Sequence, residues 1–506
     1  MYGPFDARTY RLLKTGVRFQ TEDPALATLY AKAEQICLEN QLTIHGKRFL
    51  REGGGYRNIW LETQPMGGAM YAVRDAEVAL NNILVFMQYQ RRDGRMPGML
   101  FLAPNRGFCA AYDWFQGFCF PQPALQLASL MEEPQAYLRL LFNVLHDFDD
   151  YLWRYRRNSD GCLMRWCCWD TAEDNLSLLL ENGGEDGCFG GELPPEAVGR
   201  SMPWTSMEMM GWSCAAREAM AQISNMLGCG EAEVWYRQAE EVRKTLKREL
   251  WNEERGACFE KDSRGEVLEC LIHGNLRCMY YDVFTQEMAE TFVRRHLLNP
   301  EEFLTKVPLP SIAANDPWFR NITDNNWSGP SQGLTWQRAI LALQNYGFHA
   351  ELARLGSIWL AHLEQTTKLT QQYDPFTGEP GIGPDGYGPT CLSALEYIAL
   401  LYGVHVEGDW LAFASYEGGS ASTYEQTLGE HVYTLRRDRS GMTVLLDGRE
   451  LFRAPHSLRI VTDRTGRLLS AVSLTEEPLE AEIVLPGKNL RLHCEKNRII
   501  DLEKEA

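Results

Sequence analysis

Several features that mark particular protein classes are missing from this chain of 506 residues. No segment has eighteen uninterrupted apolar residues, and Met1 to Arg8 lack a basic region followed by an apolar run, so the sequence predicts a cytoplasmic protein without a membrane segment. Its 50 Lys and Arg residues stand against 68 Asp and Glu residues, without a long basic block. Nucleic acid is therefore excluded as an expected partner, and a neutral or cationic small molecule is favoured.

Signals for metals and nucleotide cofactors are also missing. The 14 cysteines show no CxxC spacing, and the ten histidines show no HExxH motif. No Gly-rich loop follows a predicted strand, and Gly53 to Gly55 is interpreted as a flexible turn. The sequence therefore predicts neither a metal nor a cofactor.

Helical periodicity is present along most of the chain. Leu26, Leu29, Ala33 and Ile36 recur at three- and four-residue steps, as one buried helical stripe requires. Strand alternation is weak up to about residue 403. The predicted helices are Pro24 to Glu39, Arg74 to Tyr89, Pro134 to Tyr155, Thr205 to Met226, Ala232 to Trp251, Thr285 to Leu297, Gln332 to Tyr346, Ala350 to Leu363 and Thr390 to Tyr402.

After Val404 the sequence pattern changes to short runs of alternating apolar and polar residues. Asp447-Gly448 and Thr465-Gly466 separate such runs and are hairpin signals. We therefore expect a mainly α chain with a helical domain over 1–403 and a β-sandwich-like accessory domain over 404–506. Paired helices of this number close most economically into an α/α toroid, with a solenoid as the alternative.

Acidic and aromatic residues cluster from Trp169 to Asn175, a segment that reads Trp-Asp-Thr-Ala-Glu-Asp-Asn. Neighbouring carboxylates and tryptophans are surroundings that raise the pKa of a carboxyl such as Asp174. The same cluster is also explained as a cap for the following helix, because Asp or Asn before an apolar run is a common N-cap.

This segment resembles the general-acid motif of inverting glycoside hydrolases with (α/α)6 barrels, which include trehalases, processing α-glucosidase I and bacterial mannosylglycerate hydrolases. Their motif is similar to Trp-Glu-Ser/Thr-Gly-x-Asp-Asn-Ser, from which this chain departs at Asp170 and Ala172. The resemblance covers most of residues 56–403 and implies an (α/α)6 toroid with Asp174 as general acid. In such enzymes the acid protonates the leaving oxygen while a second carboxylate, roughly 6.5–9.5 Å away, deprotonates water.

Other segments imply contacts with a sugar through the same resemblance. Arg74 and Asp75 are similar to the segment that opens the second barrel helix and binds the central sugar; alone, they are equally a helix-start ion pair. Trp327 lies in Asn-Trp-Ser-Gly-Pro, which is similar to the family's Trp-Arg-Gly-Pro segment. The residues beside the predicted acid that would contact the sugar are Trp169, Asp170 and Asn175.

Aromatic residues suit sugar binding because the C–H faces of a sugar are apolar while its hydroxyls are polar. Trp204 and Trp336 stand in loop-like or helix-start contexts, and Glu208 lies where the family places another substrate-facing helix start. Core packing by these tryptophans and adaptable filling by the methionines around Glu208 are the competing interpretations.

The segment from Gln371 to Glu379 reads Gln-Gln-Tyr-Asp-Pro-Phe-Thr-Gly-Glu and resembles the general-base motif of the same enzymes. In the family a glutamate two residues before the tyrosine is the base. Here that position holds Gln371, whereas Tyr373 follows the pattern as a predicted substrate contact. A carboxamide does not take a proton from water at neutral pH, so the usual base is missing.

Three functions remain open from the sequence. The first is a glycoside hydrolase that cleaves an α-linked glycoside or small oligosaccharide with a base from an adjoining loop. Glu379 is the leading substitute for that base, and the others are Asp374, Asp324 and Asp385.

The second is an inverting phosphorylase, which needs no base because phosphate is already an anionic nucleophile. The cations that could form a phosphate pocket are Arg74, Arg320, Arg338 and Lys368. The third is a protein that binds a carbohydrate without cleaving it.

Overall fold

The structure is a computed structural model that describes residues 5–103, 107–113, 115, 119–181, 202–366 and 368–503. Its helices, numbered in chain order, precede a C-terminal region of antiparallel sheet. They are α1 Pro24–Glu39, α2 Gln64–Tyr71, α3 Ala76–Gln88, α4 Pro121–Gln126, α5 Gln135–Tyr155, α6 Ser177–Glu181, α7 Met207–Leu227, α8 Ala232–Leu250, α9 Gly274–Tyr280, α10 Gln286–Phe292, α11 Gly333–Gln344, α12 His349–Gln365 and α13 Gly388–Tyr402.

The first helix shows how local sequence sets helix bounds. Asp23 caps α1 by accepting hydrogen bonds from the first-turn N–H groups of Ala25 and Leu26, and Pro24 supplies a backbone already shaped for the first turn. The predicted bounds Pro24 to Glu39 are confirmed. The other predicted helices lie within a few residues of α3, α5, α7, α8, α10, α11, α12 and α13, while α2, α4 and α9 were not predicted.

Those three unpredicted helices belong to a continuous succession of packed helices. α2 contacts α4, α4 contacts α7, α7 contacts α9, α9 contacts α11, and α11 contacts α13, which returns to contact α2. Other helices pack against members of this succession: α3 on α2, α5 and α8 on α7, and α1 and α12 on α13. The buried side chains of both sets form one hydrophobic core.

The strands are short in the helical region and longer after α13. They are β1 Thr15–Thr21, β2 Gln41–Ile44, β3 Lys47–Leu50, β4 Ile59–Trp60, β5 Met99–Ala103, β6 Gly107–Ala111, β7 Met164–Arg165, β8 Trp204–Thr205, β9 Trp251–Asn252, β10 Ala257–Cys258, β11 Ser331–Gln332, β12 Gln372–Tyr373, β13 Val404–Glu407, β14 Trp410–Ser415, β15 Ser422–Leu428, β16 His431–Asp438, β17 Gly441–Leu446, β18 Arg449–Ala454, β19 Leu458–Asp463, β20 Leu468–Ser473, β21 Leu479–Leu485, β22 Lys488–Cys494 and β23 Ile500–Asp501.

Two antiparallel sheets form the C-terminal region. One has the strand order β1-β15-β16-β17-β18-β21-β22, and the other has the order β13-β14-β19-β20-β23. β13 and β14 contact strands of the larger sheet, and the rings of Phe413 and Phe452 meet between the sheets at 6.0 Å. β1 lies far upstream in the chain, in a part that the sequence assigned to the helical domain, yet all seven of its residues pair with β15.

One short antiparallel pairing brings the segment before α11 beside the predicted base segment. β11 pairs with β12, so that Ser331 lies opposite Tyr373 and Gln332 opposite Gln372. The backbone N–H of Gly333 then donates to the carbonyl of Gln371 at 2.9 Å. The segment before α11 is therefore held beside the predicted base segment.

The helices of the described ranges do not meet the requirements of a membrane span. None is both long enough and apolar enough to cross a lipid bilayer.

Candidate active site

The segment that carries Asp174 is fastened to the loop that precedes β11. The backbone N–H of Trp327 donates to the carbonyl of Asp174 at 3.3 Å. The side chain of Asn175 donates to the carbonyl of Asn325 at 2.8 Å, and Ser328 Oγ donates to the carbonyl of Asn175 at 2.9 Å. These reciprocal bonds fix the position of the predicted acid relative to the loop from residue 325 to residue 328.

The helix that follows Asp174 begins three residues further along the chain. α6 begins at Ser177, and the backbone N–H of Ser177 donates to Ser328 Oγ at 2.7 Å. Ala172 and Asn175 have φ angles of 54° and 60°, a left-handed conformation that costs a residue with a Cβ free energy. Such strain clusters at sites where the surrounding structure dictates the backbone path.

Gln371 bridges Asn325 and Tyr56 through hydrogen bonds. Its Nε2 donates to Asn325 Oδ1 at 3.0 Å, and its Oε1 accepts a hydrogen bond from the hydroxyl of Tyr56 at 2.8 Å. The side chain of Asn325 is in turn hydrogen-bonded to the carboxyl of Asp174. A chain of polar contacts therefore runs from Tyr56 through Gln371 and Asn325 to Asp174.

A cavity of about 250 Å³ opens at this chain of contacts. The turn at Gly54 and Gly55 forms one wall, and Gln371 and Asn325 form another. The remaining lining residues are Tyr56, Thr323, Asp324, Thr370, Gln372, Gly381, Gly383 and Pro384. The cavity is large enough for a small polar ligand to approach the amide of Gln371.

Glu173 and Asp174 are neighbours in the chain but have opposite electrostatic surroundings. Burial, followed by the charge of Glu62, raises the pKa of Asp174 to about 8, against the opposing influence of Arg277. Burial also acts to raise the pKa of Glu173, but Arg165 and His273 outweigh it and hold that pKa below its ordinary value. At neutral pH Asp174 therefore carries a proton while Glu173 is ionised.

Buried ions surround this pair of carboxyls. Arg338 contacts Glu62 at 2.7 Å, and Arg277 contacts Glu208 at 2.6 Å and lies 3.9 Å from Glu62. Burial, opposed by Arg277, raises the pKa of Glu208 to about 7. All four side chains are buried, and Asp174 responds to the charges of Glu62 and Arg277, so the ions and the acid share one electrostatic environment.

Several polar atoms of these ions have no hydrogen-bond partner among the described residues. They are Glu208 Oε1, Arg277 Nε and Nη2, and Arg338 Nε and Nη1. Buried polar groups are normally paired, so a concentration of unpaired ones is typical of a place that a polar ligand fills. Trp327, 2% exposed, packs beside these ions, since its ring stacks on His273 with centroids 5.2 Å apart and lies 5.3 Å from the guanidinium of Arg277.

The structure brings five of the residues predicted from the sequence into this environment, directly or through Asn325. They are Asp174, Asn175, Glu208, Trp327 and Gln371.

Arg74 and Asp75 have other partners than the sequence implied. Arg74 is buried against Glu34 of α1 at 2.6 Å. Asp75 caps α3 by accepting from the N–H of Val78, and it forms an ion pair with Arg48 of β3. Both side chains are used in packing α1, α3 and β3, so the helix-start ion-pair interpretation is the better one for Asp75, and neither residue is retained as a sugar contact.

Three predicted aromatic contacts lie in the protein core. Trp336 stacks on Trp359 at 4.7 Å, and Trp204 is fully buried with the guanidinium of Arg165 at 5.1 Å from its ring. The hydroxyl of Tyr373 donates to the carbonyl of Lys368 at 2.9 Å. Tyr373 thus holds the turn before Gln371 rather than presenting its ring to the cavity.

Trp169 and Asp170 support the acid segment from outside the cavity. Asp170 is fully buried, is paired with Arg156 at 2.7 Å and accepts from the backbone N–H of Trp166. Trp169 packs with Trp166 and Cys167. These contacts order the turn that leads to Asp174.

The predicted substitute bases lie at or near the protein surface. Glu379 is exposed, and its backbone carbonyl accepts from the N–H of Asp374. Asp374 binds Asn321 and its own turn, and Asp385 is paired with Lys32 at 2.8 Å. Asp324 lines the cavity from an exposed position, so it is the member of this set that remains beside Gln371.

Sequence reasoning missed Glu52, Glu62, Tyr56 and Arg277. Glu62 follows Trp60 by two residues just before α2, whereas the predicted sugar-binding acid at a helix start is Asp75. Glu52 directly precedes Gly53, in the turn that was interpreted as merely flexible. Arg277 lies in α9, a helix with no amphipathic pattern, so no sequence signal marked it.

The same residues do not form a metal site. Within the ranges that the structure describes, no three His, Cys, Asp or Glu side chains are grouped as metal ligands.

Known proteins resemble this chain in sequence as well as in fold. The family model described as the mannosylglycerate hydrolase MGH1-like glycoside hydrolase domain matches residues 66–388. No curated protein matches the chain.

Solved structures with similar folds include three glycosidases. The GH63 mannosylglycerate hydrolase from Thermus thermophilus in complex with glucose has a TM-score of 0.59 and 20% identity, over 73% of this chain and 99% of that chain. Neutral trehalase Nth1 from Saccharomyces cerevisiae has a TM-score of 0.53 and 14% identity, over 73% and 80%. The GH78 rhamnosidase of Bacillus sp. GL1 has a TM-score of 0.58 and 10% identity, over 86% and 42%.

These structural likenesses concern the fold, whereas the family model covers well over half of the chain. The chain belongs to the mannosylglycerate hydrolase MGH1-like glycoside hydrolase domain family.

Proposed function

We propose that this chain hydrolyses a small α-linked glycoside with inversion at the anomeric carbon, and that Asp174 is the general acid. The observation that carries the proposal is the place of Asp174, whose carbonyl accepts from the Trp327 N–H at 3.3 Å and whose carboxyl is linked through Asn325 to Gln371. In these surroundings burial and Glu62 raise the pKa of Asp174 to about 8. A carboxyl that keeps its proton at neutral pH is able to donate it to a leaving oxygen. Asn325 orients the Asp174 carboxyl through a hydrogen bond.

The buried ions beside Asp174 suit the recognition of sugar hydroxyls. Glu62 and Glu208 are acceptors, and Arg277 and Arg338 are donors with unpaired nitrogen atoms. Hydroxyl groups both donate and accept hydrogen bonds, so one sugar ring can satisfy donors and acceptors together.

The fold proposed for this activity is an (α/α)6 toroid. The succession α2, α4, α7, α9, α11 and α13 supports an inner ring of six helices, because its last member contacts its first. We also place the domain boundary between residues 403 and 404, with β1 crossing over to complete the accessory β domain.

Hexoses are the first substrates to test because one structure of the Thermus thermophilus mannosylglycerate hydrolase contains glucose and another contains Tris and D-glycerate. Phosphorolysis is disfavoured by two of the cations that were considered for it, since Arg74 is paired with Glu34 and Arg338 with Glu62. Both are therefore neutralised by a carboxylate at short range.

The test is turnover of a panel of α-linked hexose disaccharides and of mannosylglycerate, with and without inorganic phosphate. We expect phosphate-independent hydrolysis, with a product that NMR first detects as the β-anomer. Strict phosphate dependence would replace the proposal with phosphorolysis, and binding without turnover would replace it with a carbohydrate-binding protein.

A further inference from the structure

The glutamine at the usual base position leaves the proposed hydrolysis without a group to activate water. Both polar atoms of the Gln371 amide already form hydrogen bonds, Oε1 with Tyr56 and Nε2 with Asn325. A carboxylate near that amide and near Asp174 is therefore needed. Among the described residues, Glu52 and Glu62 are buried carboxyls that act on both Asp174 and Tyr56, the tyrosine that binds that amide. Glu62 is already paired with Arg338, which leaves Glu52 as the candidate.

Glu52 is placed by the turn that forms one wall of the cavity. It is 6% exposed, and Gly54, Gly55 and Tyr56 shortly after it line the cavity together with Gln371. The turn is clamped by hydrogen bonds from Gly388 N–H to the Glu52 carbonyl at 2.7 Å and from Gly54 N–H to the Gly386 carbonyl at 2.9 Å. Glu52 is thus held at a fixed position beside the cavity.

The glycines of the turn allow this close approach. Gly54 has a φ of 59°, and a Cβ at that position would lie 2.9 Å from backbone and side-chain atoms of Tyr387. Any other residue there would push the turn away from Tyr387, the residue that orients Glu52. The Gly53–Gly55 segment is therefore a packed turn that carries Glu52 and Tyr56 into the site.

One oxygen of Glu52 is oriented and the other is available. The hydroxyl of Tyr387 donates to Glu52 Oε1 at 2.9 Å. Within the described ranges, Glu52 Oε2 accepts no hydrogen bond, so that oxygen is free to accept a proton. Tyr56 and Tyr387 also meet edge to face, with ring centroids 6.2 Å apart, which links the orienting tyrosine to the one that contacts Gln371.

Glu52 and Asp174 interact electrostatically across the site. Burial, and then the charges of Glu62 and Asp174, raise the pKa of Glu52 well above its ordinary value, while Tyr387 acts to lower it. Tyr56 responds to the same three carboxyls. A carboxylate with a raised pKa is a stronger base once ionised, which suits proton removal from water.

We propose that Glu52 is the general base of this chain and replaces the carboxylate missing at Gln371. Glu52 Oε2 takes a proton from water as the water oxygen bonds to the anomeric carbon. The bond from that carbon to the leaving oxygen breaks at the same time, and the leaving oxygen receives the proton of Asp174. This inference rests on the proposed hydrolysis, and Gln371 and Asn325 act in it as positioning residues.

The first test is Glu52→Gln, assayed on the glycoside that the wild-type protein hydrolyses. We expect kcat/KM to fall by roughly 10²–10⁴-fold, the usual size of a general-base contribution. Glu132→Gln, at an exposed position, is the matched control and should leave kcat/KM unchanged. Glu379→Gln and Asp324→Asn remove the competing carboxylates, and a loss confined to either of them overturns the proposal.

Azide rescue separates a lost base from a damaged fold. Glu52→Ala supplied with sodium azide should regain turnover and form the β-glycosyl azide, because azide attacks without losing a proton while Asp174 still protonates the leaving oxygen. Loss of turnover that azide does not restore, in a variant with the wild-type Tm, would assign Glu52 to packing against Tyr387 and overturn the proposal.

A measurement on the wild-type protein keeps the proposal testable if the variants do not fold. The acid limb of kcat/KM against pH is expected above the ordinary glutamate range, because burial and then the charges of Glu62 and Asp174 raise the pKa of Glu52. Tyr387→Phe should move that limb to higher pH by removing a hydrogen bond that favours the ionised carboxylate. A limb at the ordinary carboxylate pKa would assign the base to an exposed group and overturn the proposal.

The two proposals fail in different ways. Absence of glycoside turnover by the wild-type protein would overturn hydrolysis and, with it, the assignment of Glu52. Turnover that requires Asp174 but persists at the wild-type rate in Glu52→Gln would overturn the assignment of Glu52 alone.

Discussion

Gln371 Nε2 donates a hydrogen bond of 3.0 Å to Asn325 Oδ1, and the side chain of Asn325 also binds the carboxyl of Asp174. An ionised glutamate at position 371 has no hydrogen to donate to Asn325. The amide is therefore not a passive replacement for a carboxylate. It provides a donor that holds Asn325, and through it Asp174, in place.

Gln371→Glu should destabilise the protein at alkaline pH. Burial and the nearby Glu52 and Asp174 would raise the folded-state pKa of the new carboxyl above its unfolded value, so the variant loses stability as pH rises through the folded pKa. We expect a loss of about 1–3 kcal/mol at pH 8 and little loss at pH 5, measured by urea unfolding.

Gln20→Glu is the control for that variant because Gln20 is exposed on β1. It should show no comparable dependence on pH. Equal stability of Gln371→Glu at both pH values would contradict the role of the amide as donor, and a gain of hydrolysis would show that position 371 still faces the attacking water.

Asp174→Asn should remove the proposed acid while preserving the fold. An amide keeps a hydrogen-bonding group for Asn325 but has no proton to transfer to a leaving oxygen. We expect kcat on a disaccharide to fall by roughly 10²–10⁴-fold, with a much smaller loss on a dinitrophenyl glycoside, whose leaving group needs no proton. Steady-state kinetics on both substrates, with Tm as a check of folding, measure this.

Glu173→Gln is the informative contrast with Asp174→Asn. Glu173 is ionised and paired with the buried guanidinium of Arg165, which also contacts Glu260, so its neutralisation removes one of two carboxyl partners and should lower Tm. If Asp174→Asn lost kcat equally on the disaccharide and on the dinitrophenyl glycoside, the role of Asp174 as acid would be contradicted.

Glu62→Gln should move the alkaline limb of the pH profile. Glu62 is the charge that most raises the pKa of Asp174 after burial, so its neutralisation favours the ionised form of Asp174. The limb near pH 8 should shift down by about one unit, because a single close like charge has an effect of that order. The measurement is kcat/KM from pH 5 to pH 9.5, and a limb that stays in place would exclude Asp174 as its source.

The helices that the sequence predicted and those that it did not differ in burial. α8 has Val242, Leu246 and Leu250 buried at four-residue spacing on one side, so its pattern is visible. α9 has all seven residues buried, including Asn275 and Arg277, and α2 contains two adjacent glycines. A short helix surrounded by protein has no polar face, so periodicity does not reveal it.

The contrast between segments with a local sequence pattern and segments without one also explains which site residues the sequence predicts. Asp174, Asn175 and Gln371 lie in motifs whose order in the chain is distinctive, so the sequence indicates them as candidates. Glu52 and Glu62 join the proposed site only because the turn at Gly54 and the start of α2 pack beside segments far along the chain. Pairings of that kind are set by tertiary contacts and leave no local spacing to detect.

Ala172→Gly should stabilise the protein slightly. Ala172 has a φ of 54° at the position where the related motif carries glycine. Relief of the left-handed strain, about 1–2 kcal/mol, is partly offset by the greater freedom of glycine in the unfolded chain. We expect a net gain of roughly 0.5–1 kcal/mol in the free energy of unfolding. Ala239→Gly, inside α8, should instead lose about 1 kcal/mol, so a loss at both positions would contradict strain at Ala172.

His405 should make the stability of the junction between α13 and the β domain depend on pH. Burial lowers its pKa, but hydrogen bonds of 2.7 Å to both Glu396 and Glu407 outweigh burial and raise it to about 9. A raised folded-state pKa adds stability that is complete below the unfolded value of about 6.5 and is lost as pH rises through about 9.

The free energy of unfolding should therefore fall by on the order of 2 kcal/mol between pH 6.5 and pH 9.5 from this histidine. His405→Gln removes the titrating group and should flatten that fall, whereas His431→Gln, at an exposed position on β16, should leave it unchanged. Urea unfolding of the three proteins across this range measures the effect. An undiminished fall in His405→Gln would show that the charge network of Glu396, His405 and Glu407 does not couple folding to pH, because no other change separates that variant from the wild-type protein.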